Sequence, residues 1–168
     1  MIPVCVQTLI VTNPPNPCIL VLCPEEEFNK KGLRRIIPVT IGVPEAIQLG
    51  FAMASARTKR PSTHDLFMDA LTNLDSTIQK LEITKAEGKI FFAKLYIKNQ
   101  ERSIELDARP SDGIALALRQ NAPIFLDEQV LESASILYNF RDEASDKKEM
   151  EEFHSFIENL NPDDFAFD

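Results

Sequence analysis

The sequence predicts an α+β fold, in which duplicated β-β-β-α units form a mixed or antiparallel sheet packed with helices. Three observations predict it. Predicted strands come in turn-linked groups of three, each group is followed by helices, and the two strand-to-helix junctions match each other. The junctions read IGVPEAIQLGFAM and DARPSDGIALALR, each with a proline, a carboxylate, an isoleucine and then small residues.

The first half supplies three strands and two helices. Valine, isoleucine and leucine dominate the strands, and the prolines of the NPPNP turn prevent a helix between the first two. Pro44 is typical of a first helical turn. The predicted strands cover residues 3–12, 18–23 and 35–42, a charged loop covers residues 25–32, and the predicted helices cover residues 44–58 and 63–74.

The second half repeats this order. The turns EGK and NQER separate three further strands, and a short extended segment lies between two helices. The predicted strands cover residues 77–86, 89–98 and 103–108, the helices cover residues 111–121 and 128–137, and the extended segment covers residues 122–127.

A C-terminal extension is predicted as a separate unit. We expect one domain over residues 1–138 and an acidic helical extension over residues 139–168. In the extension, apolar residues follow three- and four-residue spacing from a start near Ser145. The extension is either a docked helix or a partner-binding or inhibitory acidic appendage.

The negative charge is concentrated in that extension. The chain carries a net charge of −8, and residues 141–168 contain ten acidic and three basic side chains, which leaves −1 for the first 140 residues. A nucleic-acid ligand is therefore compatible with the domain, although no strongly basic footprint favours it. No apolar run approaches about 18 residues and the N-terminus has no basic segment, so we expect no membrane contact and a cytoplasmic location.

Three cysteines, Cys5, Cys18 and Cys23, fit no zinc-binding spacing. Cys18 and Cys23 are an odd number of residues apart on one strand, so they should point to opposite faces. We expect buried, reduced thiols and no disulfide.

The segment RPSTHD, residues 60–65, precedes a predicted helix. Ser62 and Asp65 match a capping box, in which side chains satisfy the free backbone donors of a helix start. Capping does not account for His64, which is a candidate general acid, general base or metal ligand. A lone histidine is nevertheless more often structural.

The segment DARPSD, residues 107–112, carries two open interpretations. In the first, Asp107 and Arg109 form an ion pair, and Ser111 or Asp112 caps the helix. In the second, the carboxylates hold Mg²⁺ or Mn²⁺ and Arg109 binds a phosphate at the helix N-terminus.

Residues 89–98 alternate two faces. The polar face carries Phe92, Lys94, Tyr96 and Lys98. Aromatic and basic side chains arranged in this way can stack on bases and pair with phosphates. The same stripe also suits a subunit interface or an ordinary half-exposed sheet face, and these two interpretations are favoured.

Four segments in this order resemble the bifunctional nuclease domain family: IPVTIGVPEA, RPSTHDL, DARPSDGIALALR and APIFLDEQVLE. The resemblance covers about residues 3–138, and the combination of HDL with DARPSD is specific. It departs at Gly113, where the family usually has alanine. The resemblance implies a metal-dependent nuclease that acts on DNA and RNA with little sequence preference, on an α+β fold that commonly forms homo-oligomers, here dimers or trimers.

The matching motifs suggest a role for each candidate site residue. As metal ligands for Mg²⁺ or Mn²⁺ we expect Asp107 and Asp112, and Glu45 is a possible third. The candidate catalytic residues are His64, a general base or leaving-group acid, with Asp65 and Glu45. The candidate phosphate-binding residues are Arg60, Arg109 and Ser111.

Two other functions stay open. The chain is alternatively a non-catalytic regulatory module that binds a ligand or a protein, with carboxylates paired to Arg60 and Arg109. It is otherwise a structural homo-oligomer whose C-terminal extension carries the function.

Overall fold

The computed structural model describes residues 1–12, 15–56, 59–100 and 102–140, together with residues 151 and 155. Within these residues, one sheet of eight strands is combined with four α-helices. The predicted α+β fold with a mixed sheet is therefore confirmed. The predicted tail helix lies outside these ranges, apart from residues 151 and 155, which are helical.

The strands and helices follow the predicted order along the chain up to the last predicted helix, and a further strand at residues 136–140 was not predicted. The strands are β1 (Ile2–Ile10), β2 (Cys18–Pro24), β3 (Gly32–Ile41), β4 (Thr77–Glu87), β5 (Ile90–Lys98), β6 (Ser103–Ala108), β7 (Ile124–Leu126) and β8 (Ile136–Phe140). The helices are α1 (Val43–Met53), α2 (Thr63–Asn73), α3 (Pro110–Gln120) and α4 (Glu128–Ala134), and a 3₁₀ turn covers Glu25–Glu27. No helix in the described ranges has both the length and the apolar character needed to cross a membrane.

The two groups of three strands lie side by side in the sheet, whose order is β6-β5-β4-β7-β1-β2-β3-β8. The short strand β7 joins them, because it pairs antiparallel with β1 and parallel with β4. All other neighbouring strands pair antiparallel. The strand triplets predicted from the sequence are thus two antiparallel units connected through one strand.

The main core lies between one face of the sheet and the helices. Strand β5 shows how the alternation of side chains builds it, because Ala93, Leu95 and Ile97 are buried while the residues between them are at least partly exposed. Helices α1, α3 and α4 bury their apolar side chains against the same face. Burial of this apolar surface is the main stabilising contribution, at about 25 cal/mol per Å².

Helix α3 lies unusually close to strand β4. A Cβ atom added at Gly113 would lie 2.4 Å from Cδ1 of Leu81, which is closer than Cβ atoms come to non-bonded heavy atoms in proteins. Leu81 is fully buried, so it has little room to move. The glycine therefore sets how near the first turn of α3 comes to the sheet.

Two predicted boundaries were wrong at the far edge of the sheet. Helix α4 ends at Ala134 instead of residue 137, and the chain continues as strand β8. Strand β3 begins at Gly32 instead of residue 35. Both differences have one cause, because residues 32–36 of β3 pair with residues 136–140 of β8. Each segment becomes a strand by pairing with a partner about a hundred residues away in the chain.

Helix α1 is shorter than predicted and ends at Met53 instead of residue 58. Ser55 adopts a left-handed backbone conformation with φ of 49°. The N–H of Ala56 then donates to the carbonyl of Phe51 at 2.9 Å, which closes a Schellman motif. The helix therefore stops without a glycine or a proline to mark its end in the sequence.

Candidate functional site

The first turns of helices α1, α2 and α3 are joined by two side-chain contacts. Nη1 of Arg109 donates to Oε1 of Glu45 at 2.9 Å, which connects α3 to α1. Nε2 of His64 lies 3.4 Å from Oδ1 of Asp112, which connects α2 to α3. Glu45, His64, Arg109 and Asp112 are called the helix-start cluster below. Four of the predicted site residues therefore come together in space.

Arg109 is the exposed member of the helix-start cluster. It precedes the first residue of α3, and its Nε donates to Oδ2 of Asp112 at 2.7 Å and its Nη2 to Oδ1 at 3.3 Å. Hydrogen bonding to Asp112, followed by its charge and that of Glu45, raises the pKa of Arg109 above its ordinary value. The side chain is 66% exposed. A guanidinium has five N–H donors, and two of them remain for a ligand.

His64 is largely, but not fully, buried at the contact between α2 and α3, with 15% of its side chain exposed. Its Nδ1 is buried and has no hydrogen-bond partner in the described part of the chain. Its Nε2 faces Asp112 at a distance that is long for a hydrogen bond. The imidazole is thus held by packing, and only Nε2 is directed at the helix-start cluster.

Asp65 has a structural role beside the cluster. The predicted capping box is confirmed, because the backbone N–H of Asp65 donates to Oγ of Ser62 at 3.3 Å and the backbone N–H of Ser62 donates to Oδ2 of Asp65 at 3.0 Å. The other carboxylate oxygen accepts from Nε of Arg119 at 2.9 Å. These hydrogen bonds, with that of Arg119 the strongest influence, lower the pKa of Asp65 to about 2.

Arg119 was not among the residues predicted from the sequence. Its side chain is only 11% exposed, and besides Asp65 it donates to the carbonyl oxygen of Ala115 at 2.9 Å and to Oε1 of Gln48 at 3.2 Å. It therefore ties α3 to both α1 and α2. Its position in the sequence could have identified it as a candidate, because it lies two turns after Asp112 on the same side of α3.

Three other predicted residues lie outside the cluster's described contacts. Asp107 is exposed on β6, where it pairs in register with Lys94 of β5. Ser111 is buried in the first turn of α3 and caps nothing, because Arg109 occupies the cap position and makes no side-chain cap bond. Arg60 is exposed and precedes the Ser62 cap. Their predicted roles in binding stay predictions.

A metal ion does not fit the carboxylates in the geometry described. Among the residues with a described position, no three His, Cys, Asp or Glu side chains group closely enough to hold one. Both oxygens of Asp112 already face cationic or hydrogen-bonding partners, Arg109 and His64. A metal at Asp112 would have to displace the guanidinium.

The polar face of β5 is an ordinary charge-paired surface in this structure. Lys94 forms an ion pair with Glu105 at 2.6 Å, and Nζ of Lys80 lies 4.5 Å from the ring centre of Tyr96. A hydrogen bond to Glu82 raises the pKa of Tyr96. Because neighbouring carboxylates accompany these basic groups, the stripe is poorly suited to stack on nucleic-acid bases.

Comparison with known proteins identifies relatives. Residues 28–139 match the bifunctional nuclease domain. An uncharacterized protein of Mycobacterium tuberculosis is 33% identical over 138 residues, which cover 78% of this chain and 81% of that protein. Bifunctional nuclease 1 of Oryza sativa subsp. japonica is 26% identical over 98 residues, which cover 56% of this chain and 30% of that protein's length. Bifunctional nuclease 1 of Arabidopsis thaliana is 24% identical over 96 residues, which cover 55% of this chain and 30% of that protein's length.

The domain match spans both motifs that form the helix-start cluster, RPSTHD and DARPSD, as well as Glu45. The resemblance noted in the sequence is thereby confirmed. The chain belongs to the bifunctional nuclease domain family.

Proposed function

We propose that this chain is a nuclease that hydrolyses phosphodiester bonds of DNA and RNA with low sequence specificity at the helix-start cluster. The observation that carries the proposal is the contact of His64 with Asp112. Together with the pair between Arg109 and Asp112, it brings a largely buried histidine, a carboxylate and an exposed arginine into one cluster. The rice and Arabidopsis relatives named bifunctional nuclease support the choice of reaction.

Arg109 is proposed to bind the phosphate that is attacked. Its exposed guanidinium retains two donors, and a planar guanidinium matches the oxygens of a phosphate. Helices α1 and α3 begin without a side-chain cap, so their free backbone N–H groups add partial positive charge at the same place. These groups would stabilise the negative charge that develops on the phosphate during attack.

His64 is proposed to take a proton from the attacking water or to give one to the leaving oxygen. Asp112 holds Nε2 toward the cluster in the resting state, and Nε2 must exchange this contact for one with the attacking water or the leaving oxygen before a proton moves. The Nε2–Oδ1 separation of 3.4 Å is long, so exchanging this contact for one with water costs little.

The need for Mg²⁺ or Mn²⁺, with Asp107 and Asp112 as ligands, remains a separate prediction. No step above depends on a metal, because the described carboxylates do not form a site for one. Association into dimers or trimers is likewise a prediction.

A second candidate is a non-catalytic module that binds an anionic ligand. The observation in its favour is that Glu45 and Asp112 are both paired to Arg109. A cluster whose charges balance internally can bind a ligand by exchanging one carboxylate for it, without any chemistry. The two candidates differ in whether bound nucleic acid is cleaved.

The test is cleavage of labelled single-stranded DNA, duplex DNA and RNA by highly purified protein, with Mg²⁺, with Mn²⁺ and with EDTA. The matched variants are Asp112→Asn and Asp69→Asn, the second an exposed carboxylate on α2 outside the cluster. We expect cleavage by the natural protein and by Asp69→Asn, and a loss of about 100-fold or more in Asp112→Asn. Loss in EDTA, and in Asp107→Asn, would support the predicted metal.

Other outcomes count against the proposal. Equal cleavage by all proteins would indicate a contaminant or another site. Binding without cleavage by the natural protein would favour the anion-binding module.

A further inference from the structure

Two cysteines face each other on neighbouring strands, away from the helix-start cluster. Cys5 of β1 and Cys23 of β2 are direct partners in the antiparallel register, and their sulfur atoms are 3.7 Å apart. Both belong to a small apolar cluster with Val21 and Ile36, separate from the main core. Cys18 lies in the main core, which confirms that Cys18 and Cys23 point to opposite faces.

The backbone geometry of this pair permits a disulfide. Directly opposed residues in antiparallel strands have Cα atoms about 4.5–5.5 Å apart, and disulfides span about 4.4–6.8 Å. The sulfurs already point toward each other, so side-chain rotation is enough to bring them to bonding distance. No strand has to move out of register.

The two thiols differ in access and in chemistry. Cys5 is partly exposed, contrary to the prediction of three buried thiols, whereas Cys23 is fully buried. The hydrogen bond with Cys23 lowers the pKa of Cys5 despite partial burial, and the same bond together with burial raises the pKa of Cys23. Sγ of Cys23 also lies 3.4 Å from Oε1 of Gln7, which is an alternative acceptor for its single S–H. Cys5, the partly exposed thiol with the lowered pKa, is therefore the more reactive one.

We propose that Cys5 and Cys23 form a reversible oxidation site whose oxidant is a hydroperoxide. The Cys5 thiolate attacks one peroxide oxygen, the O–O bond breaks, and the departing oxygen takes up a proton, which leaves a sulfenic acid on Cys5. The sulfur of Cys23 then attacks the sulfur of Cys5, the S–O bond breaks, and water leaves with the thiol proton. Two thiols and hydrogen peroxide thus give one disulfide and two waters.

The chain contains its own control for this reaction. Cys18 is a third thiol on the same strand as Cys23, but it is fully buried in the main core. The proposal does not depend on nuclease activity, because none of the three cysteines belongs to the helix-start cluster. Failure of one proposal would leave the other standing.

The test treats the full chain with hydrogen peroxide, quenches it, alkylates remaining thiols under denaturing conditions and maps the peptides. We expect a Cys5–Cys23 disulfide within one chain, loss of its two thiol hydrogens, and full recovery with a dithiol reductant. Cys18 should be oxidised at least about tenfold more slowly than Cys5. Cys18→Ser should form the same disulfide, and Cys5→Ser should leave Cys23 reduced.

Three results would overturn the proposal. One is oxidation of Cys5 to sulfinic acid while Cys23 stays free. Another is equal oxidation of Cys18 and Cys5. The third is a disulfide that forms only between two chains.

Discussion

The two Arg-Pro-Ser segments begin two helices in different ways. In the first, the helix starts after the serine, and Ser62 caps α2. In the second, the helix starts two residues earlier relative to the motif, so Arg109 stands at the cap position and Ser111 is buried in the first turn. The same three-residue sequence therefore gives a helix start with a side-chain cap in α2 and one without a side-chain cap in α3.

The carboxylates that follow the two segments differ in the same way. Asp65 and Asp112 both lie three residues after a cap, and each binds an arginine. Asp65 binds Arg119, whose side chain is 11% exposed, whereas Asp112 binds Arg109, whose side chain is 66% exposed. A buried guanidinium stabilises the fold, and an exposed one is accessible to a ligand. The comparison gives Asp65 a structural role and Asp112 a proposed functional one.

The largest expected effect is on activity, from removal of the exposed guanidinium. Arg109→Gln should lower kcat/KM for nucleic-acid cleavage by about 100-fold, because the phosphate loses its charged donor. Arg109→Lys should recover only part of the rate, since lysine lacks the planar fork. Steady-state cleavage assays would measure both. Arg102→Gln, at an exposed arginine just before β6, is the control and should keep normal activity.

Replacement of the largely buried Arg119 guanidinium should affect stability instead. Arg119→Met keeps the length of the side chain but removes the partner of Asp65, so the free energy of unfolding should fall by about 2–3 kcal/mol. Urea unfolding at neutral pH would measure it. A change below about 0.5 kcal/mol would contradict the structural role of Arg119, because the Asp65–Arg119 pair would then contribute no more than an exposed surface ion pair.

The same pair gives a pH dependence with a definite sign. The pKa of Asp65 is lowered to about 2 from 3.8, so its contribution is complete above about pH 5 and is lost as the pH falls through 2. The natural protein should lose about 2 kcal/mol more over this range than Arg119→Met does. Parallel pH profiles of the two proteins would contradict this prediction.

Two glycine substitutions test how closely α3 is held to the sheet. Gly113→Ala should destabilise the protein by about 1 kcal/mol, because the new Cβ would overlap the buried side chain of Leu81. Gly50→Ala in α1 meets no atom within 4 Å and should stabilise it by about 1 kcal/mol through helix propensity. Thermal unfolding of both variants would show opposite signs. Stabilisation by Gly113→Ala would show that Leu81 can adjust.

The two serines should respond differently to the same change. Ser62→Ala removes a cap and should cost about 1 kcal/mol. Ser111→Ala removes a buried hydroxyl that caps nothing and should change the unfolding free energy by less than about 0.5 kcal/mol. Equal losses in urea unfolding would remove the distinction between the two helix starts.

Local features were predictable from the sequence, and long-range ones were not. The capping box of Ser62 and Asp65 spans four consecutive residues, so its pattern is visible in the chain. Glu45 and Arg109 were both selected as candidates, but their contact joins residues 64 positions apart. Arg119 was missed for the same reason, since its partner Asp65 is 54 positions away.

Strand β8 was not predicted for the same reason, because it depends on a long-range contact. Residues 136–140 carry isoleucine, leucine, tyrosine and phenylalanine, which suit a strand as well as they continue a helix. Only the pairing with β3 decides between these alternatives, and β3 itself extends to Gly32 because of that pairing. Neither segment contains enough local sequence information to predict its own secondary structure at residues 32–34 or 136–140.

The most direct test of the account compares Asp112→Asn with Asp65→Asn, the two carboxylates in equivalent positions. Each variant is measured for unfolding free energy and for kcat/KM of nucleic-acid cleavage by the folded protein. We predict a crossed result: Asp112→Asn loses about 100-fold in activity with stability nearly unchanged, and Asp65→Asn loses about 2 kcal/mol of stability with activity within about threefold of normal. Equal losses of both properties in both variants would contradict the division into a structural carboxylate, Asp65, and a functional carboxylate, Asp112.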